Sequence, residues 1–415
     1  MATKPASGNE LLPVAEARQV ILWAVRTRTA RAAPLVEALD CVLAQDIASP
    51  IDLPQWDNSA VDGYAVHSSD VADANENNPI HLRVTATVPA GTAAGVRLEP
   101  QTCARIFTGA PIPEGPDAVV MQEDTRPHHE GYIAVVESVE LGENIRRAGD
   151  DVTKGEIVLR SGRVLGPAQL GMAAAVGLAQ LTVYPRPRVG VLVTGAEIVE
   201  PGRLLRAGQI YDANSYSLCA LVKQAGCEPV ELGIADDTRE DLQEKIDYGL
   251  SECDAVITVG GVSVGDHDLV KDVLADLGCE QKFWRIAMRP GKPFVFGTRG
   301  ERLVFGLPGN PVSAAVTFLI LVRPALLKMR GLTEIDLPTV MAEATGDFVN
   351  RDDRVHYMRA NLRRDGEKWL AIPMPRQGSH VISSLANANC LVELPEATTI
   401  SQGHSVRAIR FSENE

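Results

Sequence analysis

The chain has 415 residues, 45% hydrophobic and 23% charged, a length that suggests about two to four domains rather than one core. Its formal net charge of −14 excludes a surface built to hold nucleic acid or anionic lipid, but not a small anionic substrate, which answers to local charge. The seven scattered cysteines (Cys41, Cys103, Cys219, Cys227, Cys253, Cys279, Cys390) include no C-x-x-C pair, which argues against zinc ribbons and for reduced thiols in a cytoplasmic protein.

The first residues carry no apolar signal-peptide core. Apolar side chains at helical spacing predict a helix over 13–28 and a short second one over 34–40. From Leu53 to about Arg146 the texture changes to β-prone runs such as HLRVTATV and YIAVVESV, separated by Gly, Pro and Asn, which predicts a small all-β module. Residues 167–177 return to helix behind a proline at its first turn. From Arg188, Val- and Ile-rich runs (VGVLVTG, EPVELGIA, DAVITVGG) alternate with amphipathic stretches, as in a mostly parallel sheet covered on both faces. A long helix starts at Pro311; its apolar stretch to Leu327, interrupted by Arg323 and Pro324, reads as a buried helix and not a membrane span. The remaining eighty or so residues revert to short strands.

Two loops of the α/β region suit a phosphorylated ligand. GGVSVGD follows a strand; Gly260, Gly261 and Gly265 would let backbone N–H groups approach phosphate oxygens, and Ser263 adds a hydroxyl. A tight strand-to-helix turn explains the same glycines. In FGLPGNPVSA, Asn310 can cap a helix opened by Pro311, which by itself requires no ligand. Between the loops, FWRIAMRPGKPFVFG gathers Arg285, Arg289 and Lys292, either as a solvated hairpin or as a seat for an oxyanion. Glu197, Asp212, Asp237, Asp266 and Asp268 sit near strand ends of the same sheet. Singly they are caps or surface charges, with Asp212 and Asp237 the most cap-like; together, beside phosphate loops, they suit Mg²⁺. The eight histidines show no metal-ligand spacing, and His128 and His129 fall in a polar loop.

Ten segments in order, from about Leu53 to the C-terminus, resemble the MoeA family, which includes the E domain of gephyrin. They are DNSAVDGYAV, FTGAPIPEGPDAVVMQE, NIRRAGDDV, TGAEIVEPG, GQIYDANS, LGIADD, GGVSVGDHD, FWRIAMRPGKPF, GLPGNPVSA and QGSHVISSLANANC. The resemblance implies a multidomain α/β plus β fold. A discontinuous first domain (1–53 with 147–187) would carry an inserted β-rich domain (54–146), followed by a central mostly parallel α/β molybdopterin-binding domain (188–331) and a C-terminal β-barrel-like domain (332–415). It further implies an elongated homodimer whose active sites are shared across subunits.

The family reaction inserts molybdate into adenylylated molybdopterin and releases AMP, with Mg²⁺ as cofactor. A molybdopterin adenylyltransferase acts upstream and molybdoenzyme maturation factors act downstream. Carried over by motif, Asp62 and Thr108 are partner-subunit contributions and Asp151 is a further functional acid. Glu197, Asp237 and Asp268 serve nucleotide and Mg²⁺ binding or the pyrophosphate cleavage, with Glu197 and Asp268 as the metal ligands. The glycine loop holds the pterin nucleotide beside Pro308 and Pro311, Arg289, Lys292, Ser313, Arg359 and Ser379 surround molybdate, and Arg285 counts among the ligand-binding residues. Three positions depart from the family pattern: Ala196 stands where Asp is usual, Arg285 and Arg289 where Lys is frequent, and Val61 where Met is common. The competing functions are the related adenylyltransferase, which lacks the β module and barrel, and a non-catalytic scaffold, which normally carries an extra domain. Molybdate and tungstate are too nearly isosteric to be told apart in sequence.

Overall fold

The computed structural model describes residues 11–91, 95–261 and 269–411. Helix α1 (Val14–Ala24) buries Ala17 and Ile21 against the α/β core. The helix predicted over 34–40 is not formed. Arg31–Pro34 is a strand paired with Gln180–Tyr184, and only one 3₁₀ turn, Leu35–Glu37, follows. Asp40 takes a positive φ of 61°, so the chain turns back and Val42–Leu43 pairs with the other side of the same strand. Further pairings of Ile47–Ala48 with Ile157–Leu159, and of Leu53 with Val152, tie the chain before the β module to the chain after it. Between them lies a six-stranded sheet running from Gly63–Val66 to Tyr132–Val135, with Leu82, Cys103, Val120 and Ile133 in its core. Helix α2 (Pro167–Ala175) opens on its proline as expected.

The central sheet contains β1 (Arg188–Thr194), β2 (Glu228–Ala235), β3 (Ala255–Val259), β4 (Glu280–Arg285), β5 (Pro293–Arg299) and β6 (Arg302–Leu307), in spatial order β2-β1-β3-β6-β5-β4. The first four in that order are mutually parallel, and β5 and β4 join antiparallel at one edge. β3 is buried at every position, which is why it reads as an unbroken apolar run. One face packs on α3 (Asn214–Gln224) and α6 (Pro311–Met329); the other packs on α4 (Arg239–Glu252) and α5 (Leu269–Asp276). By length and composition α6 is apolar enough to cross a membrane, but 83% of its apolar window is buried inside the protein. Arg323 and Pro324 do not end it. A π-helical stretch, Phe318–Val322, precedes the proline that cannot donate a backbone bond, and Arg323 donates to the Ile335 carbonyl at 3.1 Å.

The last strands, β7 (Thr339–Ala344), β8 (Val355–Asp365), β9 (Lys368–Pro373), β10 (Cys390–Leu394) and β11 (Ser405–Arg410), run β8-β9-β7-β11-β10, and β10 pairs back onto β8 to close a five-stranded barrel. Met358, Ala360, Leu362 and Val392 line its interior, whereas Tyr357, Leu391 and Ile409 turn outward onto the α/β core. The multidomain α/β plus β class is therefore as the sequence implied. All seven cysteines are unpaired; six are buried, and burial pushes the Cys103 thiol up to about 12.

Candidate active site

The parallel strands deliver their C-terminal ends side by side, and both predicted loops leave from there. Gly260 donates its N–H to the Leu307 carbonyl at 3.1 Å, which ties the end of β3 to β6. Its φ is +90°, and an added Cβ would lie 2.8 Å from both the carbonyl and the hydroxyl of Thr194. Gly261 (φ +64°) would meet a Val270 methyl at 2.7 Å, so only glycine lets this backbone lie against β1 and α5. A Cβ on Gly309 would point at the Gly260 Cα from 3.6 Å, so the two loops face each other backbone to backbone in one crevice. Ser263, Gly265, Asp266 and Asp268 fall outside the described residues.

Two acids stand at the adjoining strand ends. Asp237 accepts from the Ala196 N–H at 3.2 Å, bridging the chain after β2 to the chain after β1; α4 is capped instead by Thr238, which accepts from Asp241 at 3.4 Å. The cap reading of Asp237 is thereby corrected. Glu197 folds back over the strand end, where an added Cβ on Gly195 would meet its carboxylate at 2.7 Å. It is exposed and has no ion pair among the described residues. Asp212, by contrast, does act as a cap: it is 6% exposed and accepts from the Ser215 N–H at 3.0 Å at the start of α3.

The barrel reaches the same crevice through residues 376–380. Asn310 occupies the cap position of α6, yet its side chain does not cap; it donates to the Ser379 hydroxyl at 3.1 Å, while the Ser379 carbonyl accepts from Val312 at 3.2 Å. Asn214 anchors the other side, donating to the Gly309 carbonyl at 2.8 Å. Pro308 and Ser313 are buried here and Pro311 opens the helix. Behind Ser379 lies Arg359, fully buried at 0% exposure. It donates to the Ser384 hydroxyl at 2.9 Å and to the carbonyls of Arg376 and Gly378 at 3.0 and 3.1 Å. Its Nη1 has no hydrogen-bond partner and no carboxylate pairs with it among the described residues. Burial lowers its pKa to about 10.

The remaining cations are arranged differently. The short strand Met288–Arg289 pairs in parallel with Val355 and His356 on β8, which places Arg289 beside His356. Arg359 shares its face with Tyr357, toward the α/β core, so Arg289 and Arg359 approach β8 from opposite faces. Arg289 lies 3.5 Å from Asp352, whose carboxylate accepts two bonds of 2.6 Å from Arg354. Those bonds, then Asp353 and Arg289, hold the Asp352 carboxyl down at about 2. Arg285 ends β4 half-buried, and Lys292 is exposed.

Asp62 and Thr108 meet each other in the β module, but no hydrogen bond or ion pair among the described residues joins them to the crevice. The Asp62 carboxylate accepts from the Thr108 N–H at 2.8 Å and its hydroxyl at 2.9 Å, and those bonds hold its pKa low. Asp151 is exposed on the return from that module and donates its N–H to the Leu53 carbonyl. Sequence reasoning missed Thr194, Asn214, Gln377 and Asp352. Thr194, Asn214 and Gln377 lie inside motifs read for other residues, while nothing local marks Asp352.

A parallel sheet with facing glycine loops at its strand ends, joined to a β module and a closed barrel, defines a multidomain α/β plus β protein with one crevice suited to phosphates. Family models match in the same order: the MoeA N-terminal region (domains I and II) at residues 12–177, a probable molybdopterin binding domain at 190–328, and the MoeA C-terminal region (domain IV) at 341–411. The molybdopterin molybdenumtransferase of Haemophilus influenzae is 39% identical over 381 residues, 91% of this chain and 93% of its own length. Molybdopterin molybdenumtransferase 2 of Mycobacterium tuberculosis is 38% identical over 390 residues, 92% and 95% of the two chains. A solved MoeA protein of Pyrococcus horikoshii superposes with a TM-score of 0.81 at 33% identity, covering 97% of this chain and 100% of its own. The chain belongs to the MoeA family.

Proposed function

We propose that this chain is a transferase of molybdenum cofactor biosynthesis that inserts molybdate into adenylylated molybdopterin and releases AMP. The observation that carries this reading is Arg359. A buried guanidinium without a counter-charge is unfavourable unless an anion completes it. The loop held by Arg359 joins the strand-end crevice through Ser379 and Asn310. An oxyanion at the idle Nη1 would therefore lie next to loops suited to phosphates, as transfer of a metal oxyanion to a pterin nucleotide requires.

Glu197 fits Mg²⁺: it is a hard oxygen donor without a cationic partner, and only a glycine at 195 makes room for its carboxylate. With the phosphates of the nucleotide it would hold the ion, and Asp268 belongs to the same proposal. Bound there, Mg²⁺ would offset negative charge developing on the phosphoanhydride. The chain's own groups position the rest: Asp237 fixes the Ala196 backbone, the loops at 260 and 309 orient phosphates, and Arg359 orients the oxyanion. The homodimer is part of the same reading. Asp62 and Thr108 form an exposed pair beside exposed Phe107, a surface suited to meeting the crevice of a second copy. Molybdopterin adenylyltransferase would supply the substrate and maturation factors would receive the product, in the cytoplasm that reduced, buried thiols favour.

Glu197→Gln tests the Mg²⁺ assignment. It keeps size and shape but removes the charge, so the Mg²⁺ concentration for half-maximal AMP release should rise about tenfold or more. An unchanged Mg²⁺ titration would remove Glu197 from the metal site.

A further inference from the structure

Asn214 is a buried polar side chain of the crevice that none of these roles uses. It is 8% exposed and begins α3, where the capping bond is made by Asp212. The chain entering α3 is tied to the Glu197 segment: Ile210 donates to the Glu197 carbonyl and Asp212 to the Val199 carbonyl, both at 2.9 Å. Asn214 therefore reaches across to the neighbouring loop from a fixed base. Its Nδ2 donates to the Gly309 carbonyl at 2.8 Å, while its Oδ1 is buried with no partner among the described residues. The reverse orientation would set oxygen against oxygen, so the amide is held by its N–H alone. A side chain that only filled space would do better apolar than with one polar end idle, which marks the donor as the useful half.

What that donor fixes is the direction of a peptide. The 309–310 peptide is trans, so its carbonyl and its N–H point opposite ways. With the Gly309 carbonyl drawn toward α3, the Asn310 N–H faces away from α3, and it has no partner among the described residues. Pro308 and Pro311 on either side have no N–H to offer, so backbone donors in this loop are few. Gly309 has no Cβ to hold the peptide in place, so its orientation is set from outside the loop.

We propose that Asn214 is a positioning residue of the nucleotide site: it touches neither ligand, but by holding the Gly309 carbonyl it presents the Asn310 N–H to a phosphate oxygen. This rests on the reading of the loops at 260 and 309 as phosphate-binding. The oxyanion side is anchored separately, because the Ser379 carbonyl accepts from Val312 at 3.2 Å and Arg359 holds the Gly378 carbonyl at 3.1 Å. Loss of the Asn214 bond therefore weakens nucleotide binding selectively.

The test is calorimetric titration of the full-length protein with AMP, the product of the proposed reaction, and separately with molybdate, for wild type, N214D and N214L. N214D keeps the size of the side chain but sets an acceptor against the Gly309 carbonyl. It should lose about tenfold or more in AMP affinity and stay within a few-fold of wild type for molybdate. N214L removes the donor without repelling the carbonyl and should lose AMP affinity to a smaller extent. A side chain that served only packing would lower both affinities together, and that outcome overturns the proposal. A crystal structure of N214D should show the Gly309 carbonyl turned off residue 214. A 309–310 peptide placed as in wild type would mean that the carboxylate acts by charge alone, which also overturns it. If N214D does not fold, the loss of AMP affinity in N214L, set against its molybdate affinity, decides alone. Wild-type AMP affinity in both variants overturns this inference and leaves the phosphate reading standing, whereas failure of wild type to bind AMP overturns both.

Discussion

Replacing Arg359 with leucine lowers molybdate affinity by about a hundredfold while leaving pterin affinity within a few-fold of wild type. The size of the loss follows from the burial of the guanidinium. A charge-assisted contact in a site closed to water is worth on the order of 3 kcal/mol, at the upper end of the range for hydrogen bonds to charged groups. Arg359 is fully buried, three of its bonds are to neutral oxygens, and no carboxylate competes with an incoming anion. The separation of the two affinities follows from the layout. Phosphates are assigned to the loops at 260 and 309, which Arg359 reaches only through residues 377–379. Arg359→Lys should recover only part of the loss, because an ammonium keeps the charge but cannot hold two carbonyls, a hydroxyl and an anion in one plane. Thermal shift with added molybdate provides the check: the wild-type midpoint rises with ligand and that of the leucine variant does not. An equal shift in both would place the oxyanion elsewhere.

Mixing two inactive variants restores about a quarter of wild-type activity, the share expected when half the dimers pair unlike subunits and each of these keeps one intact site of two. The variants are Asp62→Ala and Glu197→Ala. The expectation rests on a separation within the chain: Asp62 and Thr108 bond each other at 2.8 and 2.9 Å, but nothing among the described residues links them to Glu197 or the crevice. If the β module of one subunit completes the crevice of its partner, an unlike pair carries both lesions in one site and neither in the other. Native mass spectrometry on labelled subunits would first establish that they exchange. Proven exchange with no recovery would mean that each site is built within a single chain.

The central sheet was legible because buried parallel strands and amphipathic helices have different periods, so DAVITV and DLQEKIDYGL separate on sight. Closure of the barrel was not, since pairing of β10 onto β8 is a matter of long-range register that no local pattern encodes. The helix expected at 34–40 failed for a related reason. Its apolar spacing is helical, but Arg31–Pro34 and Val42–Leu43 both pair with Gln180–Tyr184, and tertiary pairing overrode propensity. At the site, the two glycine loops could be read from sequence; their backbone contact at Gly260 and Gly309 could not. Asn310 looked like a helix cap because of its position, yet its side chain serves the barrel loop. Arg359 was suggested only by family resemblance, because β8 is buried on both faces there and its alternation is hidden.

The most direct test of the proposed reaction follows AMP released from adenylylated molybdopterin by the purified protein with Mg²⁺, with and without molybdate. The proposal predicts that AMP appears only when molybdate is present, in step with pterin that has gained the metal. Equal AMP release without molybdate, or metal insertion with no AMP released, would contradict it.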